Sequence, residues 1–190
     1  VMDLAIEGEG LFALRDVANP EANVYTRDGS FTLNKEGNVV SRDGFNLMSS
    51  NNEPINIPLK ATGIRTAEGF RAFGREQNVT SILISENGNV QATYGGTNIV
   101  SLGKVGLAAF NNPNRLTPVG ANLFRHSKES GLGIVGVPLE NGLGKIHSGS
   151  LEMANTNITD ELSNMIRAQQ AFSGSSRLLQ SEAEMVKKFL

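Results

Sequence analysis

Glycine and proline are confined almost wholly to the part of this chain before residue 150. Of 21 glycines only Gly174 lies after Gly149, and all six prolines lie at or before Pro138. Both residues interrupt regular elements, glycine through backbone freedom and proline through its fixed φ and missing N–H. Residues 1–150 therefore hold only short pieces, whereas residues 151–190 can hold one long element.

The short pieces read as strands and turns. Leu4-Ala5-Ile6 and Leu11-Phe12-Ala13-Leu14 flank the turn Glu7-Gly8-Glu9-Gly10. Tyr25-Thr26-Arg27 and Phe31-Thr32-Leu33 flank Asp28-Gly29, a hairpin-type dipeptide whose glycine accepts positive φ. Val39-Val40, Phe45-Asn46-Leu47, Ser81 to Ile84, Val90 to Tyr94 and Val105 to Phe110 continue the pattern. Residues 48–80 read as loop-like, with a possible strand at Ile55 to Leu59 and mixed character at Ala67 to Phe73. The expected fold is mainly β: a glycine-punctuated body of short strands and hairpins over 1–150, then one long C-terminal α-helix over 151–190.

That last segment carries helix signals at both ends. Asn155 and Asn157 offer N-cap side chains, Asp160 and Glu161 place negative charge in the first turn, and Lys187 and Lys188 place positive charge in the last. Steps of four and three from Ile158 run through Leu162, Met165, Gln169, Phe172, Ser176, Leu179, Ala183 and Val186. This is a heptad-like seam, widened by Ile166 and Leu178 and weakened by its polar and small members. Helical spacing of this kind suits a helix packed on its own domain. It suits equally a helix that packs against helices of other chains, and the narrow, partly polar seam favours the second.

Catalytic and ligand motifs fail when tested against their mechanisms. Gly8-Glu9-Gly10 approaches a dinucleotide loop, but Leu11 to Leu14 reads as strand where a helix N-terminus is needed. Gly144-Lys145 approaches a phosphate loop, yet Ile146 and Leu139 stand where Ser or Thr and the first glycine belong. His126 and His147 are the only histidines, there is no cysteine, and neither histidine has ligand-type neighbours in sequence. Carboxylate pairs such as Glu7 and Glu9 read as solvated. Neither an enzyme nor a metal or cofactor site is expected. The net charge of −2 with scattered signs does not make the basic stripe of a nucleic-acid binder. No apolar run reaches the roughly 18 residues a membrane helix requires, and the start Val1-Met2-Asp3 does not read as a signal peptide.

An ordered series of motifs resembles the bacterial flagellar rod and hook family. Ala5-Ile6-Glu7-Gly8-Glu9-Gly10-Leu11-Phe12 is similar to that family's strand-turn entry, and Tyr25 to Phe31 to its "YTRxGxF" segment. Glu36 to Phe45, and Gly103 to Phe110 with Leu116 to Leu123, come next in order. Gly149 to Asn157, then Glu161 to Phe172, carry the strongest likeness, to "GxLExSNVNxxxELxNMIxAQRAY". The resemblance implies a polymer subunit exported through the flagellar secretion channel. Its terminal helix would pack with those of other copies and of adjacent axial proteins around a central tube, with the β-body outside. Asn155 and Asn157 would mark the junction into the helix. The family normally begins with a further helix, so a chain starting at the β-entry reads as lacking it. Hook proteins usually carry a long insertion in the β-region, which the short span between Leu47 and Ser81 cannot hold. That favours a distal-rod-type subunit over a short hook protein. The alternative is a β-rich binding or adhesin-like module with a helical stalk.

Overall fold

The computed structural model describes residues 2–16, 23–66, 69–152 and 157–189, excluding the side chains of 65–66, 69–71, 183 and 186–189. The chain forms two compact units, Val1–Glu152 and Met153–Leu190.

The body unit is built from β1 (Met2–Glu7), β2 (Leu11–Arg15), β3 (Asn23–Thr26), β4 (Ser30–Leu33), β5 (Val39–Ser41), β6 (Asn46–Leu47), β7 (Lys60–Thr66) and β8 (Gly69–Ile84). It continues through β9 (Asn89–Tyr94), β10 (Asn98–Lys104), β11 (Leu107–Ala109), β12 (Thr117–Gly120), β13 (Leu123–Arg125), β14 (Ile134–Gly136) and β15 (Lys145–Ser148). Antiparallel pairing joins them into an 11-stranded sheet, ordered β12-β13-β3-β2-β6-β5-β4-β1-β15 with β11 and β14 branching from β2, and a 4-stranded sheet ordered β10-β9-β8-β7.

Strand β2 explains how one sheet serves two apolar clusters. Phe12 and Leu14 enter the main core with Leu4, Phe31, Leu47, Leu107 and Ile146, while Leu11 and Ala13 face Tyr25, Met48 and Ala108 on the other side. A strand buried on both faces needs apolar residues at both parities, and Leu-Phe-Ala-Leu supplies them. The 4-stranded sheet closes on the same main core through Val90, Ala92 and Tyr94 of β9, alternating with the half-buried Asn89, Gln91 and Thr93. Burial raises the Tyr94 phenol above its ordinary value, and its hydroxyl donates to the Pro58 carbonyl at 2.8 Å.

Three expectations need correcting. The segment 48–80 is not all loop: β7 and most of β8 lie in it, paired Lys60↔Asn78, Ala61↔Gln77, Gly63↔Ala72 and Ile64↔Arg71. A register shift between Ala61 and Gly63 brings Ala61 and Ile64, three positions apart, both to the buried side. That bulge removes the period-two signal. Ile55 to Leu59 makes a single isolated bridge, Asn56 to Asn38, although Ile55 and Ile57 are buried.

Asp28-Gly29 is not a hairpin turn. β3 lies between β2 and β13, whereas β4 lies between β1 and β5, so the turn hands the chain from one part of the sheet to another. The Thr26 hydroxyl accepts from Asp28 N–H, and Asp28 Oδ1 from Ser30 N–H, each at 3.0 Å. Gly29 is not in the positive-φ region. Glycine is required because a Cβ there would fall 1.7 Å from the Leu4 carbonyl oxygen. The connection from Glu7 to Gly10 likewise joins strands that are not neighbours.

The helical unit is α1 (Ile158–Phe189). Asn157 Oδ1 accepts from Thr159 N–H at 3.1 Å, and its carbonyl accepts from the amides of Asp160 and Glu161. It thereby satisfies amides that every helix start leaves unpaired. Gly174 does not break the helix.

Candidate functional site

Thirty-two residues of α1 span about 48 Å at 1.5 Å per residue. Along it, Ile158, Leu162, Met165, Ile166, Phe172, Leu178, Leu179 and Met185 are each more than half exposed, Phe172 reaching 78%. Steps of four and three hold Ile158, Leu162, Met165, Phe172 and Leu179 to one stripe of an α-helix. Scattered exposed apolar residues are ordinary, but these recur along one side of the helix, with Gln169 and Ser176 between them. The side chain of Val186 and the whole of Asn155 lie outside the described residues. Of the two junction asparagines, Asn157 is described, and it caps.

The body carries an ion cluster that sequence reasoning missed. Glu7, expected as one of a solvated pair with Glu9, has its Oε2 at 2.6 Å from His147 Nε2 and 3.0 Å from Lys145 Nζ. The hydrogen bond from His147, then that from Lys145, holds the Glu7 carboxyl below its ordinary value, and Glu7 in turn raises Lys145. Pairing of Ala5 with His147 and Glu7 with Lys145 sets the three side chains on one face of β1 and β15. Only the strand register brings these residues together, and no local motif announces it. Among the described residues no group of three or more His, Cys, Asp and Glu could hold a metal ion, and no helix is long and apolar enough to cross a membrane.

Residues 5–92 match the family described as flagellar hook protein FlgE/F/G D1 domain, and residues 147–190 match the flagellar basal body rod FlgEFG protein C-terminal family. The chain belongs to the flagellar rod and hook protein family.

Within that family it is similar to the flagellar basal-body rod protein FlgG of Buchnera aphidicola, with 34% identity over 98% of this chain and 63% of the relative. FlgG of Bacillus subtilis is 30% identical over 100% of this chain and 64% of its own length. The flagellar hook protein FlgE of Brucella suis is 36% identical, over 57% of this chain and 28% of that protein. The chain thus spans a little under two thirds of the length of the rod relatives. The first family match begins within β1, runs through β8 and enters β9, and the second covers the end of β15 and all of α1. The exposed stripe therefore falls inside a segment that the rod and hook family itself delimits.

Proposed function

We propose that this chain is a structural subunit of the bacterial flagellar axis, of distal-rod type in preference to hook. It polymerises by packing the apolar stripe of its terminal helix against helices of other copies and of neighbouring axial proteins. The observation that carries the reading is the stripe itself: Ile158, Leu162, Met165, Ile166, Phe172 and Leu179 lie exposed on one long helix. Removing each such side chain from water is worth about 2 kcal/mol, and neighbouring helices offer that burial. Rod is favoured because the FlgG relatives match nearly the whole chain, whereas the FlgE match covers 57% of it. The division of labour is a β-body up to about residue 150 and an assembly helix after it, with Asn155 and Asn157 at the junction and Val186 extending the stripe.

Met165→Asp and Phe172→Asp, made in the full-length protein, test this. Both should leave the β-body folded by circular dichroism and abolish rod completion and motility. Normal basal bodies in electron micrographs of either variant would remove the stripe from the assembly surface.

A further inference from the structure

The chain contains two Asn-Gly pairs, Asn87-Gly88 and Asn141-Gly142, and the fold treats them in opposite ways. We propose that Asn141 is a site of spontaneous covalent modification, deamidation through a succinimide, and that the fold protects Asn87.

The reaction needs a free backbone N–H on the next residue, a carboxamide free to approach it, and no side chain in the way. Solvent hydroxide takes the proton from the Gly142 nitrogen, which attacks Cγ of Asn141. The N–Cγ bond forms, the Cγ–Nδ2 bond breaks, and the amide nitrogen leaves as ammonia with a proton from water. A water molecule then opens the succinimide at either carbonyl, giving aspartate or isoaspartate.

Asn141 and Gly142 meet each requirement. With φ of 53° and 80°, and Leu143 N–H donating to the Glu140 carbonyl at 3.0 Å, residues 140–143 form a type I′ turn. Such a turn uses the amide of its fourth residue and leaves those of its two central residues unpaired. Both residues are exposed, and nothing lies within 4 Å of where a Gly142 Cβ would stand. At the other pair, Gly88 N–H donates to the Ser85 carbonyl at 2.8 Å. Asn87 Oδ1 accepts from Asn89 N–H at 3.1 Å, and Gly88 is buried against Pro138 and Val105. Nucleophile and electrophile there are both occupied.

The position matters to the fold because the next two residues are fixed in place. Leu143 is buried, and Gly144 N–H donates to the Glu9 carbonyl at 2.7 Å. Isoaspartate at 141 inserts an extra main-chain carbon just before this tight approach, and either product adds negative charge beside Glu140.

The test incubates the folded chain in mildly alkaline buffer and quantifies aspartate and isoaspartate at both positions by peptide mass spectrometry, with a parallel sample in urea. In the folded chain Asn141 should convert about tenfold faster than Asn87 or more, the factor expected when the slower site must first break a hydrogen bond. In urea the two rates should converge. Equal rates in the folded chain, or faster conversion at Asn87, overturn the proposal. So does a difference that persists unchanged in urea, which would place the cause in local sequence.

Discussion

Arg27 Nε lies 2.8 Å from Glu152 Oε2, joining the residue just after β3 to the last residue of the body unit. The same guanidinium donates through Nη2 to the carbonyls of Ile6 at 3.2 Å and Gly8 at 3.0 Å. Gly149 N–H donates to the Asp3 carbonyl at 2.7 Å, so the segment after β15 is held at two points, directly to β1 and to Arg27. One planar group thus ties three stretches of chain that are far apart in sequence.

Arg27→Ala should raise hydrogen exchange over residues 149–152 and destabilise the body by about 1 kcal/mol, a modest figure because the pair is partly exposed. Arg27→Lys should not restore protection, since an ammonium cannot reproduce the planar fork. Wild-type exchange at 149–152 in the alanine variant would show that the clasp holds nothing.

Gly29→Ala tests the close approach beneath β1. The added methyl cannot coexist with the Leu4 carbonyl oxygen at 1.7 Å, and any shift endangers the 3.0 Å bond from Leu4 N–H to the Gly29 carbonyl. A loss of about 3 kcal/mol is expected from overpacking. Gly44→Ala makes the control: Gly44 has φ of +88° but nothing within 4 Å, so about 1 kcal/mol of backbone strain is expected. Comparable urea midpoints for the two variants would contradict this ranking.

Local signals made the helix legible in the sequence: a capping asparagine, acidic residues in the first turn, and an apolar stripe uninterrupted by proline. The strands β1, β2, β9 and β11 were readable from their apolar runs. Pairing was not. Asp28-Gly29 carries the composition of a hairpin turn, yet its glycine serves a contact with Leu4, which no local window contains. The β7–β8 ribbon was hidden for a second reason: its bulge breaks the alternation, and Arg75, Glu76 and Asn78 of β8 are exposed. The Glu7, Lys145 and His147 cluster depends on a register between the two ends of the body.

That cluster gives a pH prediction. Glu7 is held below its ordinary value, so its contribution is present above the unfolded-state value and fades as pH falls through the folded one. Lys145 is raised, so its contribution is complete below its unfolded-state value and fades as pH climbs through the folded one. Glu7→Gln should lower the urea midpoint at neutral pH and match wild type in acid, below the carboxylate range. A midpoint difference that persists there would place the effect of Glu7 outside its charge.

The central claim is that the α1 stripe is covered by other subunits in the assembled axis. These 190 residues hold no cysteine, so an introduced cysteine is the one thiol among them. Met165, Phe172 and Leu179 should be replaced one at a time in the full-length protein, with Gln170 and Ser181 as sites off the stripe. Thiol labelling is then compared between the secreted monomer and isolated basal bodies. The account predicts that all five positions label in the monomer, and that assembly slows labelling more at the three stripe positions than at the two off it. Stripe positions that label in basal bodies as fast as in the monomer would contradict it.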